Sequence, residues 1–226
     1  MEDFTTYIEV DPNNHIGLVG SNHIDFDSWN NEDAYLYKDF GVDQFRDFTY
    51  KIDVQRDSGT FYWYGAVCLF SNDVDDWYGL LVGNKTAVGL RVGNESGDIS
   101  ILLDELYNGS CYFGKCWISP GVMYYLLVKK VETSLKAGIY STAAKRDAGN
   151  AEDGDVTNLA LTLHADHKFR YVFPVDTNNN GRNNYMGITV ENFDLQKLGV
   201  KRVLPNSRLL VSIRTLPSVR ELPPVR

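Results

Sequence analysis

The sequence predicts an all-β protein, two antiparallel sheets packed face to face, and three observations predict it. Apolar and polar residues alternate with period two in many short segments, the pattern of strands with one buried face. Gly-, Asn-, Asp- and Pro-rich turns separate these segments at intervals of roughly 8–12 residues, the spacing of a sandwich or barrel. Aromatic residues reach 13% of the 226, with 14 Tyr, 11 Phe and 4 Trp, and such side chains suit pleated, half-buried surfaces.

Taken in order, FTTYIEV (4–10) and HIGLV (15–19) read as strands around the turn Asp11-Pro12-Asn13-Asn14, and AYLYK (34–38) follows. In DFTYKIDVQ, Phe48, Tyr50, Ile52 and Val54 alternate with Thr49, Lys51, Asp53 and Gln55. FYWYGAVCLF (61–70) is apolar on both faces and reads as a central strand, with Cys68 and Trp63 in the core. GLLVG (79–83), VGLRV (88–92) and DISILLD (98–104) continue the series. Past Asn108-Gly109, Cys111 and Cys116 flank Tyr-Phe-Gly-Lys, so a hairpin could clip them together. Free thiols are the simpler reading, because the acidic start Met1-Glu2-Asp3-Phe4 has no basic and apolar signal-peptide pattern. MYYLLVKK (123–130), SLKAGIYS (134–141), LALTL (159–163), KFRYVF (168–173) and YMGITVENFDL (185–195) complete the strands. Between them STAAKRDAGNAEDG (141–154) reads as a loop or one short helical turn.

Charge divides the chain into a domain over 1–195 and an extension over 196–226. The first carries 15 basic and 29 acidic groups, net −14; the second carries 7 basic and 1 acidic, net +6. An acidic body repels nucleic acid and anionic membranes. No apolar run approaches the ~20 residues of a membrane helix, and no Cys/His spacing resembles a zinc site. The extension holds four of the seven prolines, and Arg202, Arg208, Arg214, Arg220 and Arg226 recur six residues apart among Leu and Val. That mixture predicts an extended arm that docks on another subunit, homo- or hetero-oligomeric, by strand addition; an arm lying across the acidic body of its own chain is the alternative, and a nucleic-acid tail fits the spaced Arg among Leu and Val less well.

The succession NEDAYLYKDFG, DFTYKIDV, MYYLLVKK, FRYVF and GITVENFDL resembles the concanavalin A-like lectin/glucanase superfamily, in its laminin-G-like branch, over about residues 4–195. The resemblance implies a jelly roll of two antiparallel sheets with six or seven strands each. It also implies a choice among carbohydrate-binding modules, glycanases and viral surface proteins, a choice that fold alone does not make. The glycanase pattern needs a run of acids on one strand, paired across the scissile bond. Glu9-Val10-Asp11 begins such a run, but Pro12-Asn13-Asn14 follows, so no third acid is present and no catalytic residue is assigned.

Two segments have the composition of a binding site. In SNDVDDWYG (71–79), Trp77 and Tyr78 stand beside Asp75 and Asp76, an aromatic surface and hydroxyl-binding carboxylates for a sugar if Trp77 is exposed; a place in the core is the equal alternative. Asp176-Thr177-Asn178-Asn179-Asn180-Gly181 resembles half of an oxygen-ligand loop, with Asp176, Asn178 and Asn180 as ligands for calcium, an ion common in this superfamily. The twelfth position is Gly187 rather than Glu, and a plain Asn-rich turn is the simpler reading. No other cofactor is expected. Together these features predict a non-enzymatic, lectin-like protein that docks on partner subunits, and the resemblance implies its setting, a virion surface component of the capsid-decoration type, cytoplasmic before assembly. A carbohydrate-binding module is the alternative.

Overall fold

In a computed structural model of the chain, residues 1–59, 64–95 and 98–198 are described. Among the described residues fourteen strands form two seven-stranded sheets, and every pairing is antiparallel. In chain order they are β1 (Ile8–Val10), β2 (Ile16–Gly20), β3 (His23–Trp29), β4 (Tyr35–Asp39), β5 (Phe48–Gly59), β6 (Tyr64–Ser71), β7 (Ala87–Glu95), β8 (Asp98–Tyr107), β9 (Ser110–Ile118), β10 (Met123–Val131), β11 (Ser134–Tyr140), β12 (Thr157–Thr162), β13 (Tyr171–Asp176) and β14 (Tyr185–Lys197). One sheet runs β1-β4-β13-β6-β7-β8-β9 and the other β12-β11-β10-β5-β14-β3-β2. The expected all-β two-sheet sandwich is present. Its last strand runs two residues past the expected boundary at 195.

The alternation read from the sequence places the core. Phe48, Tyr50, Ile52 and Val54 of β5 face inward with Leu126 and Val128 of β10 and Ile188, Val190 and Phe193 of β14. They meet Val67, Phe70, Val88, Leu90 and Val172 of the facing sheet. Phe48 and Phe70 stack at 4.0 Å between ring centroids. A second apolar cluster lies on the outer face of the β13–β6–β7–β8 sheet, where Ala66, Leu69, Ala87, Leu106 and Phe173 are covered by Trp77 and Leu80.

Two segments take other forms than expected. GLLVG is helical: α1 spans Trp77–Val82, and the Asp76 side chain accepts hydrogen bonds from the amides of Tyr78 and Gly79 at its start. A capping carboxylate and a short apolar run suit a helical turn laid on a sheet better than a strand. The 141–154 segment holds a second short helix, α2 (Ala143–Ala148), capped by Thr142. Cys111 and Cys116 lie on β9 itself, five residues apart and so on opposite faces; the hairpin turn is at Asn108-Gly109, both with positive φ. All three cysteines are free thiols.

Candidate functional site

The outer face of the second sheet is divided. On the β10–β11 side α2 lies across it, and Arg146 pairs with the buried Asp53, which also accepts from Asn192 Nδ2 at 2.8 Å. Burial dominates at Asp53 and pushes its pKa up, against the hydrogen bond from Asn192 and the Arg146 charge. On the β2–β3–β14 side the face is open. There β3 shows a strict alternation: Ile24, Phe26 and Ser28 point inward, and His23, Asp25, Asp27 and Trp29 point outward. Each outward residue has a partner on β14, Trp29 opposite Tyr185, Asp27 opposite Gly187, Asp25 opposite Thr189 and His23 opposite Glu191.

Asp25, Asp27 and Gly187 of this pair border a cleft of about 290 Å³ that is also lined by Asn14, His15, Gly17, Phe26, Asp57 and Ile188. Gly17 and Gly187 leave the floor free of side chains. Asp57 reaches the cleft because β5 shifts register against β14 between Gly187 and Ile188; a bulge re-aims a side chain in this way. The Thr189 hydroxyl lies 3.1 Å from Asp25 Oδ1 and 2.8 Å from Asp57 Oδ2, so one hydroxyl proton serves two carboxylates. Beside His15, which lines the cleft, Trp29 lies with its ring 5.9 Å away and stacks on Tyr185 with centroids 5.0 Å apart. His15 is held by Glu32 at 2.7 Å, and that hydrogen bond heads the influences that lower the Glu32 pKa. The arrangement offers acceptor carboxylates along a cleft, with the cluster of His15, Trp29 and Tyr185 rings beside it.

The expected sugar residues around Trp77 do not form such a surface. Trp77 is 1% exposed, with the Arg91 guanidinium 4.6 Å from its ring centroid and Arg91 itself paired to the buried Asp104. It is a packing residue, so the stacking role is corrected. Asp76 is the helix cap, and its third acceptor bond comes from the Asn179 amide at 2.6 Å; burial pushes its pKa up to about 6 against these bonds. Tyr78 and Asp75 are exposed, without an aromatic partner surface.

Asp176, expected as a cation ligand, ends β13 fully buried. Neither of its carboxylate oxygens has a hydrogen-bond partner, and both polar atoms of the Asn180 side-chain amide are enclosed and unpartnered. Burial, with the charges of Asp76, Asp75 and Asp33, raises the Asp176 pKa well above the ordinary carboxylate range against the Thr177 amide, which is itself hydrogen-bonded to the Ala34 carbonyl at 3.0 Å. Asn178 is placed differently: its carbonyl accepts from Asn30 Nδ2 and the Asn180 amide, and its side chain is not among the orphaned groups. Gly181 makes the sharp turn with φ +77°. Arg202, Arg208, Arg214 and Arg220 lie outside the described residues, as does Trp63.

Sequence reasoning missed the open cleft. Asp25-Phe26-Asp27-Ser28-Trp29 carries the strand alternation that would have marked β3, but its polar residues outnumber its apolar ones. Asp57 and Gly187 join it only through long-range pairing.

No family model and no curated protein matches this chain. Solved structures do match in fold. A functionally unknown protein from Saccharomyces cerevisiae is 12% identical, with 87% of this chain and 100% of that one covered and a TM-score of 0.51. The Bacteroides ovatus protein described as xyloglucan PUL GH43B is 9% identical, with 85% of this chain and 36% of that one covered and a TM-score of 0.55. At these identities the likeness is one of architecture: this chain has the jelly-roll sandwich fold that those proteins contain.

Proposed function

We propose that this protein is a non-catalytic, glycan-binding jelly roll and that the cleft over β2, β3 and β14 is its binding face. The observation that carries the reading is the Trp29–Tyr185 stack in line with Asp27 and Asp25 along one strand pair, next to a cleft to which Gly17 and Gly187 give backbone alone. A sugar ring presents an apolar C–H face and a rim of hydroxyl donors. Stacked rings meet the first, and carboxylate and Asn14 oxygens meet the second. Aromatic rings with one polar edge are well suited to such half-wet contacts.

Three carboxylates in one cleft raise glycoside cleavage as the competing chemistry. A general acid for that reaction is held protonated in an apolar pocket, whereas Asp25, Asp27 and Asp57 all face solvent. Binding is therefore the favoured reading. Its test is a neutral-glycan array and calorimetry on the full chain. Trp29→Ala should weaken binding about tenfold or more, the effect of truncating an aromatic anchor, and Asp27→Ala should weaken it as well. Binding unchanged in both variants would sink the cleft, and sugar release that Asp27→Asn abolishes would replace binding by catalysis.

A second reading, assembly into a particle surface, is favoured by β9. It is the edge strand of its sheet, and Tyr112, Phe113 and Trp117 are exposed along it. A long edge with exposed rings and few charges is a surface that proteins ordinarily cover.

A further inference from the structure

The cleft and the ring cluster beside it meet at His15, which lines the first and packs on Trp29 of the second at 5.9 Å. Its backbone is tied on both sides. Asp11 accepts from the amides of His15 at 2.9 Å and Ile16 at 2.7 Å, and the His15 carbonyl accepts from the Asp27 amide at 2.9 Å. Its ring is held as well. Nε2 lies 2.7 Å from Glu32 Oε2, an oxygen that also accepts from Asn13 Nδ2. Bonds at both backbone and ring hold the imidazole in one orientation.

The pairing with Glu32 also fixes the tautomer. An ionised carboxylate only accepts hydrogen bonds, and the bond from His15 heads the influences that lower the Glu32 pKa and keep it ionised. The single proton of a neutral His15 ring therefore sits on Nε2, and Nδ1 carries a lone pair. Nδ1 has no protein partner among the described residues and is not sealed from solvent. A second proton would go to Nδ1 and turn an acceptor into a charged donor. Histidine is the side chain that makes such a change near neutral pH.

A donor is what the cleft lacks. Sugar hydroxyls both donate and accept, and the ring oxygen only accepts. The carboxylates of Asp25, Asp27 and Asp57 answer the donating groups, and the Thr189 hydroxyl is taken up between Asp25 and Asp57. Of the lining side chains only Asn14 and His15 can donate toward a ligand. Among the described residues no Lys or Arg lines the cleft. The charged groups around the ring are acids from four places: Glu32 from the β3–β4 connection, Asp11 from the turn before β2, Asp25 and Asp27 from β3, and Asp57 from β5. The other histidine of this face, His23, has both nitrogens on carboxylates, Nε2 on Asp25 at 3.1 Å and Nδ1 on Glu191 at 3.2 Å. Protonating it gives a ligand no donor.

We propose that His15 is the titratable donor of the glycan cleft, positioned by Glu32, and that its protonated Nδ1 bonds a sugar oxygen, so that glycan binding strengthens on mild acidification. The inference rests on the glycan reading of the cleft. Its sign follows from linkage: a ligand that prefers the protonated ring binds more tightly at the lower pH, and in return makes the ring keep its proton to a higher pH.

The test is calorimetry of the full chain with cellohexaose, xylohexaose and mannohexaose at about pH 7.5 and about pH 5.5, both above the ordinary carboxylate range. At least one of the three should bind about three- to tenfold more tightly at the lower pH, the effect of one charge-assisted hydrogen bond at a partly open site. His15→Gln keeps a donor for Glu32 and cannot become charged, so its affinity should be the same at the two pH values. Glu32→Gln should shrink the rise, and His23→Gln should keep it. Proton NMR reads the reciprocal effect: the pH at which the His15 ring signals move should increase when the hexasaccharide is bound. If His15→Gln fails to fold, the wild-type pH dependence and the NMR titration still decide. Wild-type binding that is flat with pH, a rise that survives in His15→Gln, or no binding of the three sugars at either pH would overturn the role of His15. Flat binding that still depends on Trp29 would leave the glycan reading standing, and the glycan array decides that reading separately.

Discussion

At the scale of single residues, a buried acid is tolerated where hydrogen bonds or an opposite charge answer it. Glu105 is the clearest answered case. Its carboxylate accepts from the His164 amide and Nδ1 and from His167 Nε2 at 2.7–3.2 Å. Its own surface is closed to water, but the His164 side chain beside it is 38% exposed, so the neighbourhood is intermediate between interior and solvent. Burial pulls its pKa up, and the bonds from His167 and His164 outweigh burial and leave it lowered. A lowered folded pKa stabilises the fold above the unfolded value of about 4.3, and that contribution is lost as pH falls through the folded value. Glu105→Gln should cost about 1–3 kcal/mol at pH 7. In urea melts across pH 3–7 its penalty should shrink toward the acid end, and a penalty constant with pH would contradict the linkage.

At the scale of elements, what was legible in the sequence depended on whether local pattern or distant pairing decides. β5 and β10 were readable because Phe48, Tyr50, Ile52 and Val54, and Tyr124, Leu126 and Val128, alternate cleanly. Their partners merely complete what the pattern states. β3 was not readable from apolar content, since half of its positions face water as His23, Asp25, Asp27 and Trp29. Tyr-Phe-Gly-Lys between the cysteines is not a turn but lies within β9, whereas the turn at Asn108-Gly109 and the free thiols are as expected. That turn gives a test. Gly109 has φ +70°, and a Cβ there would meet the Asn84 side-chain oxygen at 2.3 Å. Asn84 is exposed and can swing away, so the cost of Gly109→Ala is the left-handed backbone, about 1 kcal/mol. The melting temperature should drop by about 2–4 °C with glycan binding unchanged. α1 was read as a strand because Gly79–Gly83 is apolar and short; only the capping bonds of Asp76 tell the two apart. The acidic loop around Trp77 attracted a sugar-binding reading for its composition, but composition does not say which way a ring faces.

At the scale of the whole molecule, the two-sheet sandwich followed from counting strand-like segments and turns, whereas the binding face needed three strands from distant parts of the chain. The edge of β9 carries the prediction at this scale. Replacing Phe113 and Trp117 together by Ser should leave a folded protein, since both rings are about half exposed. If β9 is an assembly surface, light scattering of the full chain should show larger species that this double variant loses; a wild type monomeric at high concentration would remove that reading. The strand order has one more consequence. β14, the last strand described, lies in the middle of its sheet, flanked by β5 on one side and β3 on the other. While the chain is being synthesised, β10, β11 and β12 can zip onto β5, and β2 onto β3, but the two halves have nothing to join them until Tyr185–Lys197 has left the ribosome. Until then the nascent chain shows water two open strand edges and half of an apolar interior, the condition in which nonlocal β proteins fold slowly and are exposed to aggregation.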